Sequence, residues 1–146
     1  MWGSAPCAST SWAWRTGRPP PKNCALWKKA WPGAWRKARG ISAGLIYTPN
    51  KYQSTEELVA LAKVAARYDG ILDVHMRNEA DHMAEALEEV IHIGRETGIR
   101  ILVTHFKLRG RRNWGNARRH LDTIDRARGE GIDIGIAQYP DRKSVV

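Results

Sequence analysis

Two histidines thirty positions apart, His75 and His105, each close a short apolar run: Ile71-Leu72-Asp73-Val74-His75 and Ile101-Leu102-Val103-Thr104-His105. A neutral imidazole at a strand end can hold a metal ion, accept a proton in catalysis, or only donate a hydrogen bond. For one such histidine the structural role is the commoner, because spacing alone carries little information. Two at equivalent places in neighbouring units bring the alternatives level.

Elements must put both imidazoles at one edge. Residues 81–97 read as an amphipathic helix between the two runs, with Met83, Leu87, Val90, Ile91 and Gly94 on the inner stripe and Glu85, Glu88, Glu89 and Arg95 mostly outside, ending at Gly98. His82 and His92 fall within it and are expected on a solvated rim. Upstream, residues 41–47 read as a strand closed by the turn Thr48-Pro49-Asn50. Ser54 and Glu57 form a capping box that opens a helix with Leu58, Leu61, Ala62 and Ala65 on one face. After His105 come a basic loop, a helix over 116–128 with Leu121, Ile124 and Asp125 in register, and a strand over 132–137. Alternation of strands and helices with short connections requires parallel strands. A doubly wound sheet and part of a barrel both satisfy that order, but no Gly-x-Gly-x-x-Gly follows a strand, which removes support for a dinucleotide-binding sheet. The expected fold class is therefore α/β, a fragment of a (β/α)8 TIM-type barrel, with chemistry at the C-terminal edge of its strands.

Composition divides the 146 residues into unlike parts. Residues 1–40 carry eight basic side chains, no acid, six of the seven tryptophans and both cysteines, Cys7 and Cys24. Residues 41–140 carry 14 basic and 14 acidic side chains, so the formal charge of +9 comes from the ends. A basic, aromatic arm could grip phosphates and stack on bases. A one-base shift of reading frame explains the same text better: it turns glutamate and methionine codons into lysine, arginine and tryptophan codons, which removes acids and adds tryptophan together. Residues 1–40 are thus expected to be a frame-shifted, non-native segment, and nucleic acid ranks low as a partner. Asp141-Arg142-Lys143-Ser144-Val145-Val146 is what a common sequencing adapter encodes, so the native text is expected to stop at Pro140. No run is long enough to span a membrane, no signal peptide is evident, and two cysteines without metal spacing indicate no disulfide framework. A cytoplasmic protein is the expectation.

The wording around the histidines is more specific than their spacing. His75-Met76-Arg77-Asn78-Glu79, Thr104-His105-Phe106-Lys107 and Asn113-Trp114-Gly115 together resemble the N-acyl-D-amino-acid deacylases (D-aminoacylases) of the metal-dependent amidohydrolase superfamily. The resemblance runs over residues 40–140 and would make them strands four to seven of the barrel. It implies His75 and His105 as ligands of zinc, Tyr47 and Lys107 as substrate contacts, and Tyr139 as a further one. The implied reaction is zinc-dependent hydrolysis of the linear amide of an N-acyl-D-amino acid, a small-molecule substrate, to a carboxylate and a D-amino acid. Arg77 and Glu79 are expected to pair with each other or to cap the next helix, and Asn113-Trp114-Gly115 to form a packed loop.

Departures from that pattern matter as much. The family's His-x-His pair, its bridging cysteine or acid and its strand-eight aspartate have no counterpart in residues 41–140, so no catalytic base is assigned and the chain by itself is expected to be inactive. Part of a barrel would also expose strand edges open to self-association. The alternatives are a cyclic amidase of the dihydroorotase or hydantoinase type, which shares strand-end histidines, and a non-enzymatic basic nucleic-acid-binding protein.

Overall fold

A computed structural model describes residues 40–138. The basic segment up to residue 39, Tyr139 and the 141–146 tail lie outside the described residues. Strand β1 (Gly40–Gly44), helix α1 (Thr55–Ala66), strand β2 (Ile71–His75), helix α2 (Met83–Thr97), strand β3 (Arg100–Val103), helix α3 (Ala117–Gly129) and strand β4 (Ile134–Ile136) follow in that order. Short 3-10 turns, Asn50–Tyr52 and Arg111–Asn113, precede α1 and α3. All three strand pairings are parallel and the sheet runs β1-β2-β3-β4. No helix among the described residues is long and apolar enough to cross a membrane.

Strand alternation sorts the sheet into two faces. One register row aligns Ile41, Leu72, Ile101 and Ile134, and the next but one aligns Ala43, Val74, Val103 and Ile136. Ala43, Leu72, Val74, Ile101, Val103 and Ile134 of these rows are buried, so this is the side the helices cover. The intervening row, Ser42, Asp73, Leu102 and Gly135, belongs to the opposite face, where none of the four is buried. That two-faced pattern is what a barrel wall requires: apolar outside under helices, mixed inside.

Local chemistry explains each helix. Ser54 Oγ accepts the amide of Glu57 at 3.3 Å while the Glu57 carboxylate accepts the amide of Ser54 at 3.2 Å, so two orphan donors at the start of α1 are satisfied. Leu58, Ala62 and Ala65 are buried on α1, and Leu61 only in part. On α2 all five residues of the expected stripe, Met83, Leu87, Val90, Ile91 and Gly94, are buried, joined by Ala86 and Ile93. Side chains such as Leu87 and Ile93, at 0% exposure, each stabilise the fold by about 1.5–3 kcal/mol. Gly98 ends α2 in the left-handed region at φ 64°, with its amide on the Gly94 carbonyl at 2.8 Å. Gly94 itself lets the helix approach the sheet: a β-carbon there would stand 2.7 Å from Ile101 Cδ1 and 2.8 Å from Ile132 Cγ2.

Several expectations need correction. Helix α2 begins at Met83, because the Asn78 carboxamide oxygen accepts the amides of Ala80 and His82 and holds residues 78–82 as a turn. Strand β1 ends at Gly44, since the amide of Tyr47 folds back onto the Gly44 carbonyl at 3.0 Å. On α3 the inner stripe is His120, Ile124 and Ala127, whereas Asp125 is exposed and pairs with Arg128 at 3.2 Å. Trp114 is 62% exposed, not packed, with the Arg111 guanidinium 6.0 Å from its ring centre.

Candidate metal-binding site at the strand ends

His75 is the last residue of β2 and lies in the alternation on the face of Asp73, away from the helices. His105 comes two residues after β3 ends, and simple alternation from Val103 would send it to the helix-covered side. Its backbone instead adopts φ 54°, a left-handed conformation uncommon outside glycine but several-fold enriched in histidine, asparagine and aspartate. The chain turns at that residue, and the two imidazole centroids come to 4.9 Å with the rings tilted by 54°. His75 Nδ1 is buried and meets no hydrogen-bond partner among the described groups. An unsatisfied buried imidazole nitrogen is costly unless it meets a proton or a metal ion, so the pair fits a metal that takes nitrogen ligands. Among the described residues no cluster of three or more His, Cys, Asp or Glu side chains stands together, so these two imidazoles would supply part of a coordination shell.

Tyr47 reaches the same place from the β1–α1 loop. Its ring centre is 5.5 Å from that of His75 in an edge-on arrangement, and the residue is 58% exposed. Lys107 lies two residues beyond His105, largely buried, with its ammonium 3.3 Å from Glu79 Oε2. Glu79 is 5% exposed, one of two buried polar residues among those described. The amide of Arg109 also donates to the Glu79 carbonyl at 2.7 Å, so the loops after β2 and β3 are tied together by side chain and backbone. The structure thus brings His75, His105 and Tyr47 together and sets Lys107 on the loop after β3, paired with Glu79. Tyr139 lies outside the described residues.

Arg77 and Glu79 do not pair with each other. Arg77 donates from Nε and a terminal nitrogen to both carboxylate oxygens of Glu89, at 2.9 and 2.8 Å, and reaches the carbonyls of Lys51 at 2.6 Å and Gln53 at 3.0 Å. Thr55 Oγ1 donates to the same carboxylate at 2.8 Å. Burial pushes the Glu89 carboxyl up, but the hydrogen bonds from Arg77 and Thr55 outweigh it and hold the group below the usual range. Hydrogen bonding to Glu89 raises the Arg77 guanidinium in turn. Below His75, Asp73 accepts the hydroxyls of Thr104 and, at 3.5 Å, of Ser42, linking β1, β2 and the residue that follows β3. The signal for Asp73 was present in the sequence: a carboxylate inside the apolar run Ile71–Val74 needs polar neighbours at its own height.

Parallel strands under helices, with two imidazoles brought together near their C-terminal ends, fit part of a (β/α)8-type barrel. No protein-family model matches the chain. It is similar to the N-acyl-D-glutamate deacylase of Alcaligenes xylosoxydans xylosoxydans, 40% identical over 103 residues, which cover 70% of this chain and 21% of that protein. The crystal structure of an N-acyl-D-glutamate deacylase from Bordetella bronchiseptica, complexed with zinc and a phosphonate that mimics the tetrahedral intermediate, superposes with a TM-score of 0.69. The identity is 43%, over 71% of this chain and 22% of that one. A D-aminoacylase structure described as defining a novel subset of amidohydrolases gives 0.68 at 35% identity, again over 71% and 22%. The chain spans about a fifth of the length of these relatives. Over about 70% of its length the chain is thus similar to a part of the N-acyl-D-amino-acid deacylases.

Proposed function

We propose that residues 40–138 are part of a zinc-dependent N-acyl-D-amino-acid deacylase, which hydrolyses the linear amide of its substrate to a carboxylate and a D-amino acid. The observation that carries this reading is the His75–His105 pair, 4.9 Å apart with a buried, unpartnered Nδ1. When bound, zinc supplies Lewis-acid polarisation of an amide carbonyl and of water. His75 and His105 would hold it through neutral imidazoles, the form a metal needs. Tyr47, edge-on to His75, offers a hydroxyl to an oxygen of the substrate. Lys107 offers an ammonium to the substrate carboxylate, held against Glu79 at the strand-end loop. Tyr139 joins them as a third substrate contact. A cytoplasmic location belongs to the same reading.

The described residues provide no cluster of three or more metal-binding side chains. Residues 40–138 alone are therefore expected to be inactive, and the activity to belong to the complete protein that carries them. That protein, loaded with zinc, is to be assayed on N-acyl-D-amino acids and on cyclic amides such as dihydroorotate and hydantoins. Release of free D-amino acid supports the reading; turnover of the cyclic amides alone would sink it.

A further inference from the structure

We infer that Arg77 is a positioning residue that locks the β1–α1 loop so that Tyr47 is held against His75. The inference rests on the proposed role of Tyr47 for its functional consequence, though the clamp itself stands on geometry. Tyr47 is exposed over more than half its surface, so burial of its own ring does little to fix it. What orders the loop is backbone: the amide of Lys51 donates to the Tyr47 carbonyl at 2.9 Å, that of Tyr52 to Pro49 at 3.1 Å and that of Gln53 to Asn50 at 3.0 Å. Such a compact turn still needs an attachment to the barrel. Arg77 provides it, since its guanidinium accounts for the carbonyls of Lys51 and Gln53 while both oxygens of Glu89 fix it from α2.

The chain economy of this arrangement is physical. His75 and Arg77 leave the same strand two residues apart, so one backbone segment sets the imidazole and the anchor of the loop that carries Tyr47. A planar guanidinium can serve two carboxylate oxygens and two carbonyls at once, which a lysine ammonium on the same stem cannot. Glu89 is held in place from a third direction by Thr55 Oγ1, at the first turn of α1, so the loop is anchored just before and just within that helix.

The test uses the complete protein that carries residues 40–138, with Arg77→Lys, Glu89→Gln, Tyr47→Phe and the Arg77→Lys/Tyr47→Phe pair. Amide hydrogen exchange in the segment 47–53 should accelerate roughly ten- to a hundredfold in Arg77→Lys, as expected for loss of charge-assisted hydrogen bonds, while α2 keeps its protection. Glu89→Gln, which leaves Arg77 its two carbonyls, should accelerate the same segment less; it decides the matter if Arg77→Lys fails to fold. On an N-acyl-D-amino acid, Arg77→Lys should lower kcat/KM, and most of that loss should vanish in the Tyr47→Phe background. Unchanged exchange over 47–53, or an undiminished loss with Tyr47 already changed, overturns the inference. Faster exchange in a protein without deacylase activity upholds the clamp and removes the functional reading.

Discussion

The rings of His75 and His105 stand 4.9 Å apart although the two residues do not occupy equivalent positions in their strands. His75 ends β2, while His105 lies two residues past β3 and reaches its neighbour through a left-handed backbone turn at φ 54°. Asparagine tolerates that conformation and a β-branched residue does not. His105→Asn should leave the melting temperature nearly unchanged and lower zinc affinity at least about tenfold, as loss of one ligand would. His105→Val should lower both, with an added stability cost of about 1–3 kcal/mol. Calorimetric zinc titration beside thermal melting separates the two effects; equal zinc affinity in His105→Asn and the parent would remove this residue from the proposed metal site.

Gly94 leaves no room for a β-carbon between α2 and the side chains of Ile101 and Ile132. Alanine there gains about 1 kcal/mol in helix propensity but drives a methyl group into Ile101 and Ile132, an overpacking that costs about 1–3 kcal/mol. Gly94→Ala is expected to destabilise by up to about 2 kcal/mol in urea unfolding, and Ile101→Val, which removes the nearest methyl, to recover part of it. A stabilising Gly94→Ala would mean the helix moves away freely.

The reciprocal bonds between Ser54 and Glu57 start α1 next to the loop of Tyr47. Ser54→Ala should cost about 0.5–2 kcal/mol, and Ser54→Asp should restore most of it. A denaturation midpoint unaffected by Ser54→Ala would show that packing alone fixes this end.

His120 is buried in a groove between α2 and α3 that is also lined by Glu88, Arg119, Asp122 and Arg126. Desolvation first, and the adjacent Arg119 second, hold its imidazole below the ordinary value of 6.5. The folded protein thus favours the neutral ring, and below pH 6.5 the unfolded chain binds more protons. The stability from this group is complete above its unfolded pKa and is lost as the pH falls through that value towards the lowered folded one. His120→Gln should flatten the fall in unfolding free energy as the pH drops below 6.5. An unaltered slope would place the acid sensitivity elsewhere.

Strands β1 and β4 are the outer strands of the described sheet, and none of the described helices covers the inner face that holds Ser42, Asp73 and Leu102. The 146-residue chain expressed alone is expected to be of marginal stability and to self-associate through those edges. A steep, cooperative urea transition of a monomer would contradict this.

The sequence by itself determined what depends on neighbours along the chain. Period-two and period-3.6 patterns marked four strands and three helices, the Ser54–Glu57 box marked the start of α1, and the recurrence of a histidine after an apolar run singled out His75 and His105 as the candidates whose rings the fold brings together. Those signals are local, because side-chain direction and capping are settled within a turn or a strand. Tertiary structure decided the rest. Arg77 chose Glu89 over Glu79, Glu79 chose Lys107, and Asp73 chose Thr104, pairs twelve to thirty-one residues apart that form only once β2, α2 and β3 pack together. Long-range partners are set by which loops the packed helices bring to one edge, and a charge in a list of residues carries no record of that distance.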